Sequence, residues 1–271
     1  MTGFFNQKVV IITGSSMGIG KSLALLLANR NAKIVLNARN EERLLATEKE
    51  LKDAGYEVIS FAGDVTLETD CRNLIATAIA RYGKIDILVN NAGISMRGAI
   101  ENLSPHVIST VFNINAIAPL MLTQMVLPYI KQTKGSIIFI SSLAGLRGIP
   151  FLSVYSAAKM ALTSISQSLR VEHHADGIHI GLVYVGITEI EKNKTAMDAD
   201  GSSILLDERK GFFTSGVNHV SYKIARLIAA RKKQTVIGIS GKAYYFLIKY
   251  FPSLVGFLMI QSQKRMKKLY K

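Results

Sequence analysis

Short runs rich in valine and isoleucine alternate with amphipathic stretches along most of the chain, beginning with KVVIIT at 8–13. The predicted strands are 8–13, 33–38, 57–63, 84–90, 135–141, 177–184 and 234–240, and the predicted helices are 18–30, 41–54, 67–82, 105–131, 153–175 and 217–231. Strands that are apolar nearly throughout and separated by helices indicate a parallel sheet covered on both faces. The alternation therefore predicts an α/β fold, with one doubly wound domain around a seven-stranded parallel sheet.

Two segments depart from this alternation. Residues 186–216 have the weakest pattern, and a loop that long inside a compact domain is usually a lid or a binding loop. Residues 243–271, after the last strand, combine apolar and aromatic residues with lysines. We therefore predict a single domain over 1–242, with a substrate lid over 186–216, followed by an apolar, basic helical extension over 243–271.

The charge of the chain is concentrated near its end. The formal net charge is +14, from 33 basic and 19 acidic residues. Residues 209–271 hold 14 lysines and arginines and no acidic residue, which leaves 19 basic and 19 acidic residues in 1–208. Such asymmetry usually reflects an anionic partner. A nucleic acid is the weaker interpretation, because no recognised binding module accompanies the charge.

Several classes of protein are disfavoured by what the chain lacks. Cys71 is the single cysteine, so no intrachain disulfide forms, and no histidine stands at a metal-ligand spacing. We expect no metal. The N-terminus shows no signal-peptide pattern, and the apolar window 243–260 is interrupted by Lys249 and Pro252, whereas a spanning helix needs about 20 mostly apolar residues. These features predict a cytoplasmic protein.

A glycine-rich turn follows the first predicted strand. The text TGSSMGIG places Gly14, Gly18 and Gly20 at the entrance to a helix. Glycines there let the backbone approach a pyrophosphate, whose charge the positive end of the helix dipole complements. The alternative is that the glycines only permit tight packing, but strand, turn and helix together favour dinucleotide binding.

The end of the second predicted strand indicates which dinucleotide is bound. An acidic residue there would hold a ribose 2′-hydroxyl, whereas an arginine would accept a 2′-phosphate. The sequence reads LNARNEERL, with Ala38 and Arg39 at the deciding positions. This favours NADPH/NADP⁺ over NADH; the alternative is that Arg39 is an ordinary solvated charge.

A tyrosine and a lysine stand four residues apart in YSAAK at 155–159, so Tyr155 and Lys159 share one face of a predicted helix. A nearby ammonium stabilises a phenolate, so we expect Lys159 to lower the pKa of Tyr155 and to make it a usable general acid. The strand IIFIS brings Ser141 and Ser142 to its carboxyl end, where doubly wound sheets bind ligands.

Five motifs together, TGSSMGIG, NNAG at 90–93, NINA, the ISS that ends at Ser142, and YSAAK, resemble the short-chain dehydrogenase/reductase family in its single-domain Rossmann form. The resemblance covers residues 8 to about 186. It implies that Tyr155 donates the proton, that Lys159 binds the nicotinamide ribose and lowers the tyrosine pKa, that Ser142 orients the carbonyl, and that Asn115 holds a water of the proton relay.

The predicted cofactor contacts combine the glycine-rich turn with positions implied by the resemblance. They are Gly14, Ser16, Gly18, Ile19, Gly20, Arg39, Asp64, Val65, Asn91, Ala92, Gly93, Tyr155, Lys159, Gly186 and Thr188. The chain departs from the family in VYVGITEIE, where Val185 replaces the usual proline. We expect that change to loosen the start of the lid, and it leaves the register of Thr188 open.

The resulting hypothesis is an NADPH-dependent reductase of a hydrophobic ketone, such as a 3-oxo long-chain base or acyl chain, or a dehydrogenase in the reverse direction. The alternatives are a broad-specificity carbonyl or sugar-alcohol oxidoreductase, and a non-catalytic NADP-binding scaffold. The resemblance also implies a homodimer or homotetramer through helices 105–131 and 153–175. The extension over 243–271 either binds an anionic membrane surface, at its inner face, or packs against the pocket or a subunit.

Overall fold

The computed structural model describes residues 3–189, 194–206 and 214–263. The strands are β1 Val9–Thr13, β2 Lys33–Ala38, β3 Val58–Ala62, β4 Ile87–Asn90, β5 Ser136–Ser142, β6 His179–Val185, β7 Thr195–Met197, β8 Ser203–Leu205 and β9 Gln234–Val236. Seven of these form one sheet in the order β3-β2-β1-β4-β5-β6-β9, and every pair in it is parallel. The predicted doubly wound fold is confirmed.

Helices cover both faces of this sheet. They are α1 Gly18–Ala28, α2 Glu41–Asp53, α3 Glu68–Tyr82, α4 Pro105–Phe112, α5 Ala118–Thr133, α6 Ser153–Glu172, α7 Val217–Ala229, α8 Ile239–Tyr250 and α9 Pro252–Gln261. Helices α1, α2 and α7 pack on one face, and α3, α5 and α6 pack on the other. Consecutive residues of a strand point to opposite faces, so Val10 lies in the first core and Ile11 in the second.

The order of the strands determines where a ligand can bind. Strand β1 pairs with β2 on one side, through Val10 and Ile34, and with β4 on the other, through Val10 and Ile87. The chain therefore winds away from β1 in both directions, and loops from the two halves diverge at the carboxyl end of this strand. Open α/β sheets bind ligands in the crevice at such a switch point.

Three elements differ from the sequence prediction. The helix predicted over 105–131 contains a π-helical turn, Asn113–Ile117, between α4 and α5. The strand predicted over 234–240 ends at Val236, because Gly238 takes a positive φ of 91° and α8 begins at the next residue. The predicted lid contains an antiparallel hairpin of β7 and β8, although 190–193 and 207–213 lie outside the described residues.

The predicted C-terminal extension is helical where the structure describes it. Helices α8 and α9 meet at an angle of 115°. By length and composition alone the two helices would suit a broken membrane span, and the stretch Pro105–Thr133 would suit a single span. That stretch is half buried and packs on the sheet as a core helix, so its apolar composition needs no membrane. The basic cluster at 264–271 lies outside the described residues.

Candidate active site

A cavity of about 760 Å³ opens at the switch point, along the carboxyl ends of the central strands. It brings together nearly all of the predicted site residues: Gly14, Ser16, Gly18, Ile19, Arg39, Asp64, Val65, Asn91, Ala92, Gly93, Asn115, Ser142, Tyr155, Lys159, Gly186 and Thr188. A volume of this size falls within the usual range for small-molecule and cofactor sites.

The glycine-rich turn fits a bound pyrophosphate. Gly14 and Gly18 take positive φ angles of 63° and 58°. A Cβ on Gly14 would lie 2.9 Å from the Cα of Ala92, so only glycine fits there, and α1 begins at Gly18 beside the cavity. The Asn91 amide fixes the turn by donating to the carbonyl oxygens of Thr13, at 2.9 Å, and Gly14, at 3.0 Å.

Gly20 is the one predicted site residue that is not among those lining the cavity, and its contact with the cofactor stays a prediction. It is buried two residues beyond Gly18, in the first turn of α1 and beneath Gly14. A Cβ at this position would meet the carbonyl oxygen of Gly14 and would lie 2.7 Å from the Asn91 amide nitrogen. The absence of a side chain at Gly20 therefore allows the helix to pack closely under the turn.

Arg39 lies at the opposite end of the cavity from Tyr155 and is well exposed, with 62% of its side-chain surface accessible. Its guanidinium lies 3.6 Å from the Asp64 carboxylate, which also accepts a hydrogen bond from the backbone of Thr66. Arg43, in the first turn of α2, lines the same part of the cavity. Two guanidinium groups therefore border this end of the site, and planar guanidinium groups are well suited to bind phosphate.

Asn115 lies within the π-helical turn and is fully buried. Its amide nitrogen donates to the carbonyl oxygens of Ile94, at 2.8 Å, and Val111, at 2.9 Å. Its Oδ1 atom has no hydrogen-bond partner among the described residues. A buried amide oxygen without a partner is a natural site for a water molecule.

Lys159 projects from α6 into the same end of the cavity. Its ammonium donates to the carbonyl oxygen of Ile140 at 3.0 Å. A Cβ built on Gly93 would lie 3.2 Å from Lys159 Nζ and 2.7 Å from Asn115 Oδ1. The amide oxygen of Asn115 and the ammonium of Lys159 therefore converge on one small space, which the missing side chain of Gly93 leaves open.

Burial shifts the pKa values of both Tyr155 and Lys159, and the shift of Tyr155 is not the one predicted from the sequence. Burial raises the pKa of Tyr155, and a hydrogen bond with Ser142 opposes this rise. Burial also lowers the pKa of Lys159 to about 8, with the positive charge of Lys194 as a smaller cause. The sequence predicted that Lys159 lowers the pKa of Tyr155; in the structure, desolvation of the phenol dominates and the direction is opposite.

The two serines that end β5 have different surroundings. Ser141 is buried and donates to the carbonyl oxygen of Lys159 at 3.0 Å, so it holds α6 against the sheet. Ser142 lines the cavity, hydrogen-bonds Tyr155, and accepts a hydrogen bond from the backbone of Ala144 at 3.3 Å. Both serines border the cavity, but the Ser141 hydroxyl is bound to the Lys159 carbonyl oxygen, so the Ser142 hydroxyl is the better placed of the two to bind a ligand.

Val185, which stands where proline was expected, is buried in β6 and pairs with Ser142. A Cβ on the following residue, Gly186, would lie 2.7 Å from the carbonyl oxygen of Ile237. Thr188 forms a parallel bridge with Ser215. Backbone pairing thus holds the residues before and after Gly186, through Ser142 and Ser215, and a loosened start of the lid stays a prediction.

The β7–β8 hairpin is fastened to the loop after β4. Met96 and Met197 form a parallel bridge, and the backbone N–H of Arg97 donates to the Met197 carbonyl oxygen at 3.0 Å. The Arg97 guanidinium pairs with Asp198 at 3.2 Å. Met96 and Met197 are buried in a small apolar cluster against which Tyr155 packs. The hairpin thus forms an apolar wall beside the tyrosine.

Sequence reasoning missed several residues that line the cavity, among them Arg43, Ser95, Ile94 and Lys194. Arg43 had a usable signal, because it follows Arg39 by four residues at the start of a predicted helix. Lys194 had none, since it follows the least patterned part of the chain. In the described residues, no group of three or more His, Cys, Asp or Glu side chains could hold a metal ion.

The known proteins that this chain resembles include dehydrogenases and reductases. The family model described as short chain dehydrogenase matches residues 8–200. An 11-beta-hydroxysteroid dehydrogenase-like protein 4A of Arabidopsis thaliana is 39% identical over 186 residues, which cover 68% of this chain and 62% of that protein. The chain thus matches less than two thirds of that plant relative. A diacetyl reductase [(S)-acetoin forming] of Staphylococcus epidermidis is 37% identical over 187 residues, covering 68% of this chain and 73% of the reductase.

Two solved structures of short-chain oxidoreductases have an architecture similar to that of this chain. A metagenomic short-chain oxidoreductase in complex with NADP is 26% identical with a TM-score of 0.71, covering 87% of this chain and 98% of that one. A short chain dehydrogenase/reductase of Burkholderia phymatum in complex with NAD has a TM-score of 0.79, covering 92% of this chain and 95% of that one. At 23% identity, the second likeness concerns the fold alone.

Proposed function

This chain belongs to the short-chain dehydrogenase family, and from that premise we propose that it is an NADPH-dependent oxidoreductase that reduces a ketone to a secondary alcohol, or catalyses the reverse reaction. One observation carries the proposal: Asn115, Ser142, Tyr155 and Lys159 all line one end of a cavity whose other parts fit a dinucleotide. A scaffold that only bound NADP would not need these four groups together.

Each of these residues has a role in the proposed reaction. NADPH, when bound, supplies the hydride to the carbonyl carbon. The Ser142 hydroxyl donates a hydrogen bond to the carbonyl oxygen, and the Tyr155 hydroxyl donates its proton to the same oxygen. Lys159, which has a pKa of about 8, remains mostly protonated at neutral pH and stabilises the phenolate that Tyr155 leaves behind. Asn115 Oδ1 accepts a hydrogen bond from a water that returns a proton to Tyr155.

The proposed preference for NADPH over NADH rests on the arginines at the far end of the cavity. Arg39 and Arg43 offer two guanidinium groups for a 2′-phosphate. The carboxylate of Asp64 pairs with Arg39. This pairing reduces the repulsion between the carboxylate and a bound phosphate. The NADP complex of the metagenomic oxidoreductase supports this choice, and measuring the rate with both NADPH and NADH tests it.

A hydrophobic substrate is proposed from the wall beside Tyr155. The apolar cluster there includes Met96, Val154 and Met197, with Ile94 and Leu152 packed against it. A long-chain 3-oxo compound would bury apolar surface against this wall, which supports our choice of a lipid-like ketone. The name of the Staphylococcus relative favours a second candidate, a broad carbonyl reductase that accepts small diketones.

A homodimer or homotetramer is proposed from the exposed faces of the helices around α5 and α6. Ile117, Leu120 and Met160 have 50%, 43% and 41% of their surface accessible, although they stand in or beside long packed helices. A second copy would cover these side chains. Analytical ultracentrifugation of the wild type and of Leu120→Glu tests this: a smaller species in the variant is expected, and a monomeric wild type would contradict it.

A ketone screen tests the proposed reaction. Oxidation of NADPH is followed by absorbance with long-chain 3-oxo compounds, steroid-like ketones and small diketones. Tyr155→Phe should reduce the ketone-dependent rate at least ~100-fold, in line with the usual contribution of general acid catalysis. The matched control is Tyr222→Phe, because Tyr222 is an exposed residue of α7. Wild-type rates in Tyr155→Phe would refute the mechanism, whereas a wild type that oxidises NADPH with none of these ketones would favour the non-catalytic scaffold.

A further inference from the structure

Helices α8 and α9 expose an unusual amount of apolar surface. Phe257 has 57% and Ile260 has 70% of its surface accessible. The other strongly exposed apolar and aromatic side chains of this pair are Ile239, Phe246, Tyr250, Phe251, Leu254 and Leu258. In α9 the single buried residue is Val255. Soluble proteins rarely leave a contiguous apolar patch of this kind uncovered, so the surface indicates a partner.

The exposed side chains converge at the junction of the two helices. The ring of Phe246 lies 4.8 Å from that of Tyr250 and 6.2 Å from that of Phe251, measured between centroids. Beyond this junction, α9 carries apolar residues on every side, a composition typical of helices inside a large core or in contact with lipid. We call residues 239–261 the apolar elbow.

The apolar elbow is fixed to the body of the protein beside the active site. Arg147 donates to the carbonyl oxygen of Pro252 at 3.0 Å, and a Cβ on Gly256 would lie 2.9 Å from the same guanidinium. Gly241 packs against Leu143, the residue after Ser142. The elbow is therefore held by the loop that follows the serine of the active site.

The charge and the helix lengths of the apolar elbow favour an anionic lipid surface as its partner. Lys242 and Lys249 are the charged residues of the elbow, and five more basic residues follow in 264–271, with no acidic residue anywhere in 209–271. A symmetric contact between two copies would bring these like charges together, whereas an anionic lipid surface would neutralise them. Helices of 12 and 10 residues extend about 18 Å and 15 Å, too short to cross a hydrocarbon core of about 30 Å.

We propose that the apolar elbow lies in the interface of an anionic lipid bilayer, with its aromatic and aliphatic side chains among the acyl chains and its lysines at the headgroups. The proposal goes beyond the reaction proposed above and needs none of its catalytic residues. It places the loop after Ser142 next to the membrane surface, where an apolar ketone would be dissolved.

Flotation of the full-length protein with vesicles tests the proposal. The probes are vesicles of phosphatidylcholine alone and of phosphatidylcholine mixed with phosphatidylserine. The wild type should float with the mixed vesicles, and less so at high salt, because the lysines act through screened charge. The double variant Phe246→Glu, Phe257→Glu should bind at least ~100-fold more weakly, since two aromatic side chains no longer enter the lipid.

The control is a second double variant, Leu45→Glu, Leu67→Glu, whose side chains are exposed to a similar extent, 50% and 53%, outside the apolar elbow. It should float like the wild type, and both double variants should still bind NADPH if they are folded. A wild type that remains unbound to mixed vesicles overturns the proposal, as does unchanged flotation of Phe246→Glu, Phe257→Glu. If that variant instead dissociates an oligomer and floats normally, the elbow is an interface between copies.

Discussion

A methyl group added to Gly93 should disable the active site while leaving the fold in place. In the structure, a Cβ at this position would lie 2.7 Å from Asn115 Oδ1 and 3.2 Å from Lys159 Nζ. Ordinary van der Waals contact begins at 3.4 Å, so the overlap with the amide oxygen is about 0.7 Å. The Gly93→Ala substitution therefore pushes directly on two of the four residues of the proposed mechanism.

Asn115 cannot move aside without loss, because its amide is held by hydrogen bonds of 2.8 Å and 2.9 Å inside the π-helical turn. Lys159 is the more mobile of the two, but its own hydrogen bond to Ile140 resists a shift. Overpacking of this kind typically costs about 1–3 kcal/mol in the free energy of unfolding. Misplacement of catalytic groups by about 1 Å can reduce a rate ~100-fold.

We therefore expect kcat for ketone reduction to fall about 100-fold in Gly93→Ala, with saturating NADPH and at a temperature where the variant is folded. Urea unfolding measures the accompanying loss of stability. The control is Gly148→Ala, because a Cβ on Gly148 would meet no atom within 4 Å and its φ is not positive. A kcat in Gly93→Ala equal to that of the wild type would refute the claim that Asn115 and Lys159 act together at this point.

Three further predictions follow from the surroundings of single residues. Arg39→Ala should raise KM for NADPH about 10- to 100-fold and leave KM for NADH unchanged, because a charged hydrogen bond to the 2′-phosphate is lost; equal effects on both cofactors would contradict the assignment. Burial lowers the pKa of His179 from 6.5 to about 4. Between these pH values the unfolded state therefore binds more protons than the folded state, and the free energy of unfolding should rise by about 3 kcal/mol from pH 4 to 6.5. Urea unfolding across this range should show the rise vanish in His179→Gln and persist in the exposed control His174→Gln. Asp198→Asn should loosen the β7–β8 hairpin, because it removes the 3.2 Å ion pair with Arg97. We expect KM for the ketone to rise several-fold and limited proteolysis to cleave the hairpin faster. Unchanged KM and unchanged cleavage would argue against a role of this ion pair in holding the hairpin.

The fold could be predicted from the sequence because burial on both faces of a parallel sheet leaves a strong local record. Runs such as VVIIT in β1 are apolar without interruption and are bounded by turns, and helices of amphipathic period separate them. The shortest strand of the sheet was the least well predicted: β9 ends at Val236, although the apolar pattern runs on through Ile237 and Ile239.

Features that depend on tertiary contact could not be predicted in the same way. Spacing alone did not separate Gly18, which borders the cavity, from Gly20, which packs beneath the turn. The π-helical turn around Asn115 adds one residue to a helical turn in an apolar segment, a change that hydrophobic periodicity does not record. The raised pKa of Tyr155 follows from its burial, which the pattern YSAAK does not contain.

The β7–β8 hairpin, by contrast, had a signal in the sequence. The text DADGS between the two strands contains an Asp-Gly pair, and Gly201 takes a positive φ of 97°, as hairpin turns often require. Strands of three residues were too short to stand out beside the polar segments around them. The sequence pattern indicated an irregular region here and did not reveal the hairpin at its centre; that the segment is a substrate lid stays a prediction.

Transfer of deuterium tests the central claim most directly. The protein is incubated with NADPH that carries deuterium at C4 of the nicotinamide and with a ketone found active in the screen, and the alcohol is analysed by mass spectrometry. The account predicts deuterium on the carbinol carbon with the wild type, and almost none in the same time with Tyr155→Phe. With both C4 positions deuterated, NADPH oxidation without a labelled alcohol, or equal labelling by the two proteins, would contradict it.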